Sequence, residues 1–292
     1  MPTRRTVLQM GALATLGVAG AELAPASADS GSGGLLAARN TPVPFAGVFV
    51  RPPELTPFET GFDGGDPTRP FARFEVTAQL GRAQILPGLT TTIAGYNGIF
   101  PGPTIRTTQG TRAEVRFRNG FPGAGLIFPQ SIDISTHLHG SESLPQYDGY
   151  ANDITRPAFV KNYRYPNSQR AATLWYHDHR HLVTAQNVYS GLAGFYPLTD
   201  PFERAQLPQD EFDVPLMISD ALFNADGSLR FDDNGTKGLW GNIILVNGVP
   251  WPTMRSSPAS TGSALSSARS HGPTAPPCPT AIRSTSWRPT MA

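Results

Sequence analysis

The sequence predicts an all-β protein built as a Greek-key β-sandwich. Three observations carry that expectation: 30 Gly and 29 Pro spread through 292 residues, few long helical periodicities, and short apolar or alternating runs that each close at Gly, Pro or Asn. Strands recurring at such spacing point to a sandwich with Greek-key connections. With 39% hydrophobic residues the chain can fill a sizeable core, and its length allows one large or two medium domains. A formal charge of +1 gives no electrostatic reason to expect nucleic acid or an anionic membrane as partner. The single cysteine, Cys278, excludes an intramolecular disulfide, so the cores must hold without one.

Residues 1–28 read as a twin-arginine-type signal peptide. Arg4-Arg5 precede a weakly apolar stretch from Met10 to Leu23, and Ala26-Ser27-Ala28 forms a small-residue cleavage site. Glu22 and the many Gly and Ala residues make this segment too polar and too short for a membrane anchor. Export to the periplasm, cell wall or exterior follows, with no membrane association once the signal is removed. Residues 29–41 are a Gly/Ser/Ala-rich leader expected to be flexible.

The first sandwich is expected over 42–199. Its candidate strands are Phe45–Val50, Phe71–Leu80, Thr90–Ala94, Thr104–Thr107, Arg112–Phe117, Ile132–His137, Ala172–His177 and Leu192–Leu198. Thr184–Tyr189 is the one helical candidate, a turn or two long. Residues 200–213 turn polar and read as an interdomain connection. Val214–Ile218 and Ile243–Val246 then open an incomplete second domain, 214–253. From 254 to 292 there is no Asp, Glu or Lys, and Ser, Pro, Ala, Thr and Arg dominate. Such a tail is expected to be disordered. Arg outnumbers Lys 21 to 2 along the chain, which hints at GC-rich coding and at a tail read in a shifted frame.

Five of the six histidines lie between 137 and 181, four of them as His137-Leu138-His139 and His177-Asp178-His179. In an extended strand residues i and i+2 share a face, so each pair aims two imidazoles at one point. Two such strands side by side offer four nitrogens, the makings of a metal site, although imidazole alone does not choose the metal. His181 continues the series, but the chain is expected to leave the strand there, making it an exposed or outer-sphere histidine. Trp175 and Tyr176 read as core packing, and Pro101-Gly102-Pro103 as a strand-entry turn.

The surroundings of the histidines narrow the choice. Ser135-Thr136-His137-Leu138-His139-Gly140, Tyr147-Asp148-Gly149-Tyr150, Trp175-Tyr176-His177-Asp178-His179 and Phe100-Pro101-Gly102-Pro103, taken together, resemble the N-terminal part of bacterial multicopper oxidases, the group of spore-coat laccases, bilirubin oxidases and phenoxazinone synthase. The resemblance runs from about Phe45 to Trp251. It implies a cupredoxin-like sandwich and copper as cofactor, with O2 and a small aromatic electron donor as partners. It also implies that His137 binds a type 2 copper, and that His139, His177 and His179 bind a type 3 pair. Asp148 resembles the family's acidic residue near the cluster and is a candidate proton relay; within Asp-Gly it is equally a turn residue.

The family's type 1 site needs a thiolate with two imidazoles, and its three-copper cluster needs four more histidines. After residue 181 this chain has only His271 and the Pro-flanked Cys278, so the type 1 site is absent. Three readings stand: a truncated multicopper oxidase of doubtful activity alone, a non-catalytic copper-binding module, and a mononuclear metal hydrolase. The hydrolase has no base constellation to support it. An incomplete second sandwich leaves unpaired edges, so the isolated chain is expected to self-associate.

Overall fold

The computed structural model describes residues 34–123, 127, 133–234 and 237–255, with the backbone of 262–268 and 282–285. The expected signal peptide lies outside the described residues. In chain order the strands are β1 (Glu59–Phe62), β2 (Pro70–Ala83), β3 (Thr91–Tyr96), β4 (Thr107–Thr108), β5 (Arg112–Asn119), β6 (Thr136–His139), β7 (Val160–Tyr165), β8 (Ala172–Asp178), β9 (Ala193–Thr199), β10 (Asp213–Ala221), β11 (Ile243–Val246), β12 (Val249–Pro250), β13 (Gly262–Ala268) and β14 (Ile282–Thr285). Two short helices, α1 (Thr184–Ser190) and α2 (Pro201–Gln206), interrupt them.

Two sheets face each other across one core. The first runs β1-β2-β5-β7 with β3 also on β2, and the second runs β4-β9-β8-β6. Period-two alternation drives the closure: Ala72, Phe74, Val76 and Ala78 of β2 and Ala113, Val115 and Phe117 of β5 point inward. They meet Leu138, Leu174, Tyr176, Tyr196 and Leu198 of the second sheet in a single cluster. The outer face of the first sheet carries charges instead, with Arg73 paired to Glu59 and Glu114, and Arg112 to Asp63. Such exposed pairs steer register more than they stabilise.

β10, β11 and β12 belong to a third sheet, and it is not independent of the first. Ala221, Phe223, Ile243 and Leu245 share a buried cluster with Ile85, Leu86 and Ile93, which follow or belong to the hairpin of β2 and β3. The 14-residue length of β2 takes the chain out of the first sandwich and onto this contact.

Several expectations are corrected. Residues 45–50 form no strand; Phe45 sits at φ 64°, and only Val48 makes an isolated bridge, to Thr253. Their apolar side chains have no core to enter: Phe45, Val48 and Val50 are 54–76% exposed. β1 and β7 carry no apolar alternation to read: β1 buries none of its four residues, and the inward residues of β7 are the tyrosines Tyr163 and Tyr165, each 1% exposed. Thr104 makes only a bridge, to Glu54, and the strand there is reduced to Thr107–Thr108. The strand expected from Ile132 begins at Thr136; Ile132 itself lies outside the described residues.

The described part of the expected leader, 34–41, is docked. Leu36 donates its N–H to Phe223 O, Ala225 donates to Gly34 O, and the Leu36 side chain packs on the second cluster. Within 200–213, Asp200 caps α2 by accepting from Glu203 N at 2.7 Å. Inside 254–292, β13 runs parallel to β10 and β14 pairs with β13, through backbone ladders that ask nothing of the side-chain pattern. The rest of 256–292 lies outside the described residues.

Close packing between β8 and β9 depends on one missing side chain. A Cβ on Gly194 would lie 2.4 Å from the Tyr176 ring, whose hydroxyl donates to Pro103 O at 2.6 Å. Gly194→Ala is therefore expected to cost about 1–3 kcal/mol, read as a lowered urea midpoint with an unchanged slope.

Candidate metal centre

Four histidines come together on the outer face of the second sheet. β6 and β8 are antiparallel, with His137 opposite His177 and His139 opposite Trp175. The alternate residues Thr136, Leu138, Tyr176 and Asp178 face the core and are at most 1% exposed. This alternation forces the imidazoles out of the sandwich and onto a single patch. One potential ligand atom from each of His137, His139 and His177 lies within 4.8 Å of the other two. The His179 ring is 5.2 Å from that of His137 and 5.9 Å from that of His177. Past the end of β8, its backbone stays attached through His179 N donating to Ser135 O at 2.7 Å.

Hydrogen bonds choose which nitrogens remain free. His137 donates Nδ1–H to the Asp148 carbonyl at 2.5 Å, and His177 donates Nδ1–H to the Asp178 carbonyl at 2.8 Å. Both rings thereby keep a bare Nε2, the tautomer a metal requires. Nδ1 of His139 lies 3.3 Å from Nε2 of His177. Two nitrogens each about 2.0 Å from one ion at a tetrahedral angle are roughly 3.3 Å apart. His179 Nδ1 is buried and, among the described residues, has no hydrogen-bond partner. A donor set of this kind, with ring nitrogens converging and one buried nitrogen without a partner among the described residues, fits a cation.

Protons are poor substitutes for that cation. Burial pushes His177 down from 6.5 to about 3, and the neighbouring histidines add to the effect. His139 and His179 are also lowered, first by desolvation and then by His137. Asp178 moves the other way: burial raises it from 3.8 to about 6, opposed by its hydrogen-bond donors.

Two supports were not anticipated from sequence. Asp178, 0% exposed, accepts from Ser135 N at 2.8 Å, Arg180 N at 3.0 Å and Asn187 Nδ2 at 2.9 Å. It ties β6, the turn after His179 and α1 into one unit. Its position inside His-x-His was visible, but its burial was not. Gly149, at φ 76°, passes directly over β6; a Cβ there would be 2.0 Å from Thr136 O. That crossing sets Asp148 beside His137, with its carboxylate 3.6 Å from Nδ1. Asp148 is thus both a turn residue and an acid next to the cluster. His181 is exposed and stands outside the group of three, as expected. Gly102 bridges to Gly194, in keeping with a strand-entry turn. Tyr176 is core, whereas Trp175 also stacks on His177 and His139.

Comparison with known proteins agrees with this geometry. The family model described as Multicopper oxidase matches residues 77–202. Bilirubin oxidase of Albifimbria verrucaria is 43% identical over 183 residues, which are 61% of this chain and 30% of that protein. Laccase of Bacillus subtilis (strain 168) is 37% identical over 202 residues, covering 58% of this chain and 39% of that one. Among solved structures, a laccase from Pediococcus acidilactici superposes with a TM-score of 0.66 at 26% identity, over 78% of this chain and 47% of that one. The chain spans 30% and 39% of the length of these two curated relatives.

The titration shifts set a sign for metal-free stability. A group with a lowered folded pKa gives full stability above its unfolded value and loses it as pH falls, so His177 acts between 6.5 and about 3. Asp178, raised, acts in the opposite sense between 3.8 and about 6. Three lowered imidazoles against one raised carboxylate give a net loss: the urea midpoint should fall on acidification below 6.5, and less steeply in His177→Gln. Asp178→Asn places an amide N–H₂ against at least one main-chain donor in either orientation. It is expected to cost roughly 1–3 kcal/mol in the same unfolding measurement.

Proposed function

We propose, from the match of residues 77–202 to the multicopper oxidase family model, that this chain serves copper-dependent oxidation of phenolic or related aromatic donors, coupled to reduction of O2 to water. The observation that carries this reading is the convergence of His137, His139 and His177, with one nitrogen of each within 4.8 Å of the others. Copper held there supplies one-electron redox chemistry toward O2. Within the reading, His137 holds a type 2 ion, and His139, His177 and His179 belong to a type 3 pair. The 3.3 Å span between His139 Nδ1 and His177 Nε2 favours a single ion shared by those two.

The protein's own groups have defined tasks in this scheme. The carbonyls of Asp148 and Asp178 fix the tautomers of His137 and His177. The Asp148 carboxylate, partly open to solvent and 3.6 Å from His137, is placed to deliver protons to the cluster. Asp178 holds the two histidine-bearing segments in register. Export through the Arg4-Arg5 segment suits such cargo, since a sandwich that must acquire metal folds before or soon after crossing. In the same reading 42–199 is the complete cupredoxin-like domain and 214–253 the opening of a second, whose incomplete edges favour self-association.

A copper-binding module without turnover is the second reading. It is favoured by the absence of any cysteine among the described residues, which offer imidazoles but no thiolate for a type 1 site. The copper-loaded chain separates the two. Oxygen uptake with a phenolic donor supports the oxidase, and tight copper without uptake supports the module. Both require His177→Ala to lower copper affinity at least tenfold in a competition titration with a chromophoric chelator; wild-type affinity in that variant would remove the site altogether.

A further inference from the structure

We infer that Trp175 is a positioning residue that sets the spacing between His139 and His177. The inference rests on the reading of these histidines as metal holders. The indole lies against both rings: its centroid is 4.1 Å from that of His177 at an interplanar angle of 28°, and 5.3 Å from that of His139 at 26°. Residues two apart on a strand are separated by roughly 6.6 Å along the backbone. A centroid distance of 4.1 Å therefore means that Trp175 and His177 lean together into contact.

Each histidine is constrained differently by that contact. His177 cannot swing toward the indole, and its Nδ1 is tied to the Asp178 carbonyl, so Nε2 is left aimed at His139. His139 stands at the end of β6 and is exposed. Among the described residues its ring has no hydrogen-bond neighbour other than His177 Nε2. The flat indole wall, opposite it in the β6–β8 register, orients the His139 ring where a backbone tie does not.

The wall itself is fixed from behind. Trp175 is 8% exposed and packs in one cluster with Val188 of α1, Phe195 of β9 and Met217 of β10. Met217, 0% exposed, comes from the third sheet, on β10. The opening strand of that sheet thus backs the residue that spaces the histidines. A residue with only a packing role would affect stability and leave the metal environment unchanged.

Cobalt(II) binding to the full chain tests this, with affinity and the ligand-field absorption spectrum as readouts. Trp175→Leu should weaken cobalt at least tenfold and alter the spectrum, while Trp175→Phe, which keeps a flat ring, stays within threefold with the wild-type spectrum. Wild-type affinity and spectrum in the Leu variant, or an equal loss in both variants, overturns the inference. If the Leu variant does not fold, Met217→Ala takes its place: a threefold or larger loss with the indole present is expected, and no loss overturns it. In the metal-free chain, a nuclear Overhauser contact between the His139 and His177 rings should persist in the Phe variant and vanish in the Leu variant. Wild-type chain that shows this contact but binds no cobalt refutes the metal reading and leaves the positioning role standing; a contact that survives in the Leu variant refutes the positioning role.

Discussion

The antiparallel register of β6 against β8 is the constraint on which the site depends. It puts His137 opposite His177 and Thr136 opposite Asp178. A slip of one residue in either strand would turn that strand's imidazoles toward the sandwich core and bring its apolar neighbour, Leu138 or Tyr176, to the surface. Burial of that apolar pair, and of Leu174 and Tyr196 with them, holds the register from the inside. Asp178 holds it at the end, beside the last backbone bond between the two segments, His179 N to Ser135 O.

Energetically the cluster is a conflict contained by its surroundings. Imidazole nitrogens are held close together, and burial makes protonation of His177 costly. A carboxylate is buried one residue away and is satisfied by three N–H donors. Such an arrangement is poor at holding protons and well suited to a bound cation, which gives His179 Nδ1 the partner that the described residues do not supply. The cost is borne by the sandwich core, whose Tyr96, Phe117, Tyr163 and Tyr176 rings pack at centroid distances of 4.9–5.6 Å.

The third sheet, that of β10, does more than follow the other two in sequence. Its residues share one cluster with the β2–β3 hairpin and another with Trp175. Both contacts reach elements next to the histidines: α1 lies between the sheets, and Tyr189 of α1 donates its hydroxyl to Leu222 O and Arg230 O. The site is therefore supported from two sides, by the first sandwich below and by the opening strands of the second beside it.

The amino-acid sequence by itself determined the fold class and the four clustered histidines, because period-two alternation and His-x-His spacing are local properties that any extended strand expresses in the same way. It also placed α1 and most strands within a few residues. Strands β1 and β7 escaped, since β1 buries none of its residues and is held by its ladder to β2, while Val-Lys-Asn-Tyr-Arg-Tyr shows its inward face only when a neighbouring strand supplies a core to enter. The run at 45–50 misled for the converse reason: it is apolar, but among the described residues nothing buries Phe45, Val48 or Val50. The choice of tautomer, the burial of Asp178, the crossing of Gly149 over β6 and the indole lying against two imidazoles were decided only by tertiary structure. Each depends on groups far apart in the chain coming within bonding or contact distance, and hydrogen-bond partners and desolvation do not exist until they do.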